Sequence, residues 1–145
     1  MKKSIIINLV VTMVLMLTCG WAMAEEAPQE LKDMAKSEFA RLGTDPVIVA
    51  AVKAENAKGK TLDEIKSMDA KWKATAGIAD YMQAMMDSEC SRHLRQIQNS
   101  EAYYAEIFVM DNQGANVAMT DKTSDYWQGD EAKFNKSFNG GTGAV

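Results

Sequence analysis

The alternation of apolar and polar positions changes character along the chain. Ile5 to Leu17 is almost wholly apolar, broken only by Asn8 and Thr12, and Lys2 and Lys3 precede it. Ala22-Met23-Ala24 then supplies the small residues a signal peptidase accepts. The stretch is shorter than the roughly 20 residues that span a bilayer. These features predict a secretory signal peptide over residues 1–24, cleaved after Ala24, and a periplasmic domain over 25–145. Cys19 goes with the discarded peptide, because Met16-Leu17-Thr18 lacks the small residue found beside a lipidated cysteine.

The next pattern is helical. Leu31, Met34, Ala35, Phe39 and Leu42 recur at helical spacing and stop at Gly43. Asp45 can cap a second helix with Pro46 in its first turn, and Val47, Ile48, Ala51 and Val52 form its stripe. Thr61-Leu62-Asp63-Glu64 is a capping box, followed by Leu62, Ile65, Met68 or Asp69, and Trp72 as the buried side of a third helix. A fourth helix, about Asp80 to Gln98, carries Met82, Met85, Met86, Cys90, Leu94 and Ile97 on one face.

The period then shortens to that of a strand. Glu106 to Met110 is a strand by composition, Asp111-Asn112-Gln113-Gly114 a turn, and Asn116 to Thr120 the returning strand. A polar, aromatic loop from Asp121 to Gln128 leads to a short helix starting near Gly129-Asp130, with Phe134 and Phe138 inward. The predicted fold is α+β: N-terminal helices packed on an antiparallel sheet of which the chain supplies mainly one hairpin. An isolated hairpin is marginal and leaves both edges open. Helices and a dimer partner must shield it, or later strands must complete it.

Composition narrows the function. Without Lys2 and Lys3 the chain has 14 basic and 20 acidic residues, a net charge of −6. Such a chain has no electrostatic footprint for nucleic acid. Only Cys90 remains after cleavage, so no intramolecular disulfide can form. One histidine, no nucleophile elbow, no phosphate loop and no zinc signature give catalysis no support. No cofactor is expected.

Tyr104 to Asp111, Gly114, Asn116-Val117-Ala118, Thr120, and Thr123-Ser124-Asp125-Tyr126-Trp127-Gln128-Gly129-Asp130-Glu131 resemble the Cache (PDC) family of PAS-like extracytoplasmic sensor domains. Asp45-Pro46-Val47-Ile48 and Asp69-x-x-Trp72 resemble the helical entry of its single-Cache modules. The resemblance implies a long helix beside a central antiparallel sheet, with a small-molecule pocket covered by the loops after the second strand. It implies a carboxylate or amino-acid-like ligand, and a homodimer formed through the N-terminal helix. The chain departs from the pattern where a third strand is expected, and it carries no output domain. Any signal would therefore pass to a membrane histidine kinase or chemoreceptor.

Three readings follow. In the first, the module binds a small organic ligand with Tyr126 and Trp127 excluding water and Asp125, Gln128 and Asp130 fixing its polar groups. Against it stands packing of Tyr126 and Trp127 on the sheet, with Asp130 capping the following helix. In the second, a truncated Cache-like protein works by protein contact. In the third, Met82, Met85, Met86, Cys90 and His93 hold Cu(I), although methionine at helical spacing is ordinary core filling. Asp69, Trp72 and Asn56 are expected to fix helix packing, and Arg92 and Arg95 to form a solvated face.

Overall fold

The computed structural model describes residues 27–142. The predicted signal peptide over residues 1–24, with Cys19, lies outside the described residues. Among the described residues, Asp33 to Thr142 form one compact unit, and residues 27–32 do not belong to it.

The first helical pattern is realised as α1 (Gln29–Met34), a π-helical turn over Ala35–Phe39, and α2 (Ala40–Leu42). Glu38 accepts from the hydroxyls of Tyr103 and Tyr104, and the Phe39 ring lies 5.9 Å from that of Tyr104. Next comes α3 (Pro46–Asn56). Asp45 caps it, accepting from the N–H groups of Val47 and Ile48 at 2.9 and 3.2 Å. The predicted capping box opens α4 (Leu62–Ala74): Glu64 N–H donates to Thr61 Oγ1, and Thr61 N–H donates to Glu64 Oε2. The buried face of α4 is Ile65, Asp69 and Trp72, and Leu62 is 41% exposed. Leu62 thus falls outside the stripe expected of it.

The single helix expected over 80–98 is two, α5 (Asp80–Met86) and α6 (Glu89–Gln98). Ser88 interrupts it by capping α6 through a bond from Ser91 N–H at 3.1 Å. Ser91 locks the break in place. Its hydroxyl donates to the Met85 carbonyl at 2.7 Å and accepts from Met119 N–H at 3.0 Å. One side chain therefore ties both helices to the sheet.

The hairpin is β1 (Phe108–Met110) and β2 (Asn116–Met119), antiparallel, with an irregular register between Val109 and Met110 that leaves Val117 without an opposite residue. Asp111 Oδ1 shapes the turn by accepting from the N–H groups of Gln113 and Ala115, each at 2.9 Å. After the returning segment come α7 (Ala132–Phe138) and a 3₁₀ turn over Asn139–Gly141.

The fold is α+β, with helices on both faces of the hairpin. On one face Ile65 and Trp72 of α4 and Met82 and Met86 of α5 pack with Ala115, Met119, Tyr126 and Phe108. On the other, Ile48 of α3 and Cys90 and Leu94 of α6 pack with Ala118 and Val109. Each large buried side chain contributes about 1.5–3 kcal/mol by leaving water, so the short sheet rests on its helical cover rather than on its own ladder. Among the described residues no helix is long and apolar enough to cross a membrane.

Asp45 also ties two helices, since His93 Nε2 of α6 lies 2.8 Å from its Oδ2. The His93 bond, with smaller help from the Ile48 and Val47 N–H groups, holds the Asp45 carboxyl below its ordinary range despite partial burial. A carboxylate whose pKa is lowered by folding adds stability above its unfolded pKa, about pH 4. That stability is lost as pH falls through the lowered folded value. Asp45→Ala is therefore expected to lower stability by about 1–2 kcal/mol at neutral pH. Thermal melts should show the gap from the parent chain closing as the pH is taken below 4.

Candidate functional site

The Asp125–Glu131 segment owes its position to one carboxylate. Asp69, buried on α4, accepts from the N–H groups of Tyr126 and Trp127 through a single oxygen, at 2.9 and 3.1 Å. Its other oxygen lies 2.7 Å from Lys73 Nζ. Lys73 is half exposed and reaches Asp125 Oδ1 at 3.2 Å. The two carboxylates raise its pKa, Asp69 more than Asp125, and keep it charged. Trp72, one turn beyond Asp69, donates its indole N–H to the Thr123 carbonyl at 2.8 Å and packs its ring 5.9 Å from Tyr126.

So held, the segment pairs with the hairpin. Asn116 N–H donates to the Tyr126 carbonyl at 2.9 Å, Gln128 N–H donates to the Gly114 carbonyl at 2.8 Å, and Ala115 and Trp127 form an antiparallel bridge. The outer edge of β2, expected to stay open, is covered here by a rudimentary third strand.

The five expected site residues have different fates. Tyr126 is 4% exposed, and its hydroxyl accepts from Lys60 Nζ at 2.7 Å. Lys60 also meets Glu55 at 2.6 Å and lies 3.9 Å from Asp111. Burial pulls the Lys60 pKa down, but Glu55 and Tyr126 outweigh it and leave the group above its ordinary value. Trp127 is half-buried, donates its indole N–H to the Gln113 carbonyl at 2.8 Å, and has the Lys66 ammonium 4.9 Å from its ring centre. Gln128 is 2% exposed. Its amide, the Asn116 amide and the Thr123 hydroxyl all donate to the Asp125 carbonyl. The side-chain oxygens of Asn116 and Gln128 are buried without a partner among the described residues.

Asp125 is half-buried beside Lys73, and Asp130 is exposed in a turn. Glu131, not Asp130, precedes α7, and its side chain makes no capping bond. The rings of Tyr126 and Trp127 are thus spent on the sheet, the α4 clamp and the hairpin turn. Asp69, Trp72 and Asn56 hold structure as expected, Asn56 accepting from Asn112 N–H at 3.0 Å. Arg92 donates to the Asp87 carbonyl.

The methionine stripe is divided by the break at Ser88. Met82 and Met86 pack with Trp72 on one face of the hairpin, and Cys90 packs with Ile48 on the other. Burial, Asp45 and Glu89 raise the Cys90 pKa, which keeps it a thiol rather than a thiolate ligand. No group of three or more His, Cys, Asp or Glu among the described residues could hold a metal.

A concave surface lies elsewhere. A groove of about 650 Å³ runs between α3, β1 and α7. Ile48, Val49, Val52, Met110, Phe134 and Phe138 make it apolar, and Lys53, Asn56, Asp111 and Asn112 also line it. None of the five expected residues contributes to it. The rings of Phe134 and Phe138 stack 5.1 Å apart along α7. An open, apolar groove with few polar groups suits recognition of an apolar body rather than acid–base chemistry.

No family model, curated protein or solved structure matches the chain.

Asp69 is the residue on which the loop depends. Asp69→Ala leaves two N–H groups unpaired and is expected to cost about 2–6 kcal/mol at about 1–3 per group. Asp69→Asn keeps an accepting oxygen and should cost less than half as much. Urea unfolding followed by tryptophan fluorescence measures both.

Proposed function

We propose that this chain is an exported recognition module of the Cache-like type, sensing or binding a ligand in the groove between α3, β1 and α7. The single observation that carries the reading is the groove itself: an apolar concavity of about 650 Å³ with polar residues among its lining. The resemblance of Tyr104 to Glu131 to sensor domains, the predicted signal peptide and the acidic charge support it. Residues 1–24 direct the protein to the periplasm, and a membrane signalling partner supplies the output. The Asp125–Asp130 loop serves as the scaffold of the site, because its aromatic rings are bonded to the hairpin and to α4.

Thermal melts of residues 25–145 with organic carboxylates of differing apolar bulk and with amino acids test the reading. A ligand that binds only the folded state at 100 times its Kd adds about 2.7 kcal/mol, a rise in Tm of several degrees. Val49→Asp places a charge in the lining and should abolish that rise. A rise undiminished in Val49→Asp would overturn the assignment to this groove.

A further inference from the structure

The two edges of the hairpin are unequal. The Ile107 carbonyl accepts from Thr120 N–H at 2.9 Å, and Asp111 N–H donates to the Ala115 carbonyl at 2.8 Å. Backbone direction alternates along an antiparallel pair. Ile107, Val109 and Asp111 therefore turn their groups toward β2, and Phe108 and Met110 turn theirs away. No hydrogen bond among the described residues meets the outward N–H and C=O groups of Phe108 and Met110. The groove borders this edge, with Val109 and Met110 in its lining.

Four backbone groups on an apolar slot set the chemistry of the occupant. Residues two apart on a strand are separated by about 6.6 Å. An extended polypeptide repeats donors and acceptors at that spacing while offering alternate side chains to the slot. A lone carboxylate satisfies one donor and leaves the rest.

Charge then chooses between occupants. Lys53 lines the groove one turn before Asn56, whose side chain holds the hairpin turn at Asn112. At the opposite end of β1 the Lys133 ammonium lies 5.0 Å from the Phe108 ring centre, with Glu131 at 3.1 Å. Lys133 is therefore ion-paired, and Lys53 is exposed with no ion pair among the described residues. A second copy pairing antiparallel about Val109 would offer each Lys53 only the Lys133–Glu131 ion pair of the other. A strand with an acidic residue at the Lys53 end would meet that lysine favourably, whereas Lys133 already has Glu131 beside it.

We propose that the outer edge of β1 and its groove dock an extended segment of a partner polypeptide, apolar at alternate positions and acidic at the end that meets Lys53. This rests on the reading of the chain as a recognition module and names its ligand.

The experiment selects a display library of random twelve-residue peptides on residues 25–145. Enrichment of alternating apolar residues with Asp or Glu at one end is expected. Binding of a synthesised winner should weaken by about tenfold, 1.4 kcal/mol, in Lys53→Glu. It should fail when alternate amides of the peptide are N-methylated, and it should slow hydrogen exchange at the Phe108 and Met110 amides. Lys53 is exposed, and unchanged circular dichroism of Lys53→Glu confirms folding. No enrichment, or a winner indifferent to N-methylation and to Lys53→Glu, overturns the proposal. A dimer in sedimentation with those two amides protected also overturns it, in favour of a second copy. A Tm rise with a carboxylate, abolished by Val49→Asp and without peptide enrichment, rejects the strand and keeps the recognition reading. Neither response rejects both.

Discussion

A single carboxylate oxygen on α4 organises the second half of the molecule. Asp69 takes the N–H groups of two consecutive residues, Tyr126 and Trp127, and so fixes the direction of the chain as it returns across the hairpin. Trp72 on the same helical face adds a bond to Thr123 and a ring against Tyr126. Direction settled, Gln128 N–H meets the Gly114 carbonyl and the outer edge of β2 is closed. A backbone pair buried without such an acceptor would lose its bonds to water uncompensated, which is why this polar side chain lies in an otherwise apolar face.

The closure is one-sided. Helices cover both faces of the hairpin, and the returning segment covers one edge at the turn end. Among the described residues the outward groups of Phe108 and Met110 on the β1 edge have no hydrogen-bond partner. Natural sheets usually blunt such an edge with charge or bulges, and Lys53 and the Lys133–Glu131 ion pair lie near its two ends.

What the sequence revealed was local. The Asp45-Pro46 entry, the Thr61–Glu64 capping box and the turn ending at Gly114 each depend on residues within four positions, and each formed as read. The break between α5 and α6 was missed because the apolar stripe runs through it in register. Ser88, an N-cap residue three before Ser91, was the signal. Leu62 was misplaced because periodicity assigns a face without saying what covers it. Tyr126, Trp127 and Gln128 have the composition of a pocket and of a polar core alike. The partner that decides, Asp69, is more than fifty residues away. The groove joins three elements separated by most of the domain, and no short motif encodes it.

Where the hairpin turn and the returning chain cross, they leave no room for a side chain. A Cβ on Gly114 would lie 2.4 Å from Gly129 Cα, and one on Gly129 would lie 2.4 Å from both the Gln113 carbonyl oxygen and the Trp127 indole nitrogen. That oxygen and that nitrogen are already bonded to each other. A single methyl group at either crossing point would act as a wedge, prising apart two chain passages that every other contact draws together. The tolerance of the whole returning segment is therefore set by the thickness of two bare backbones.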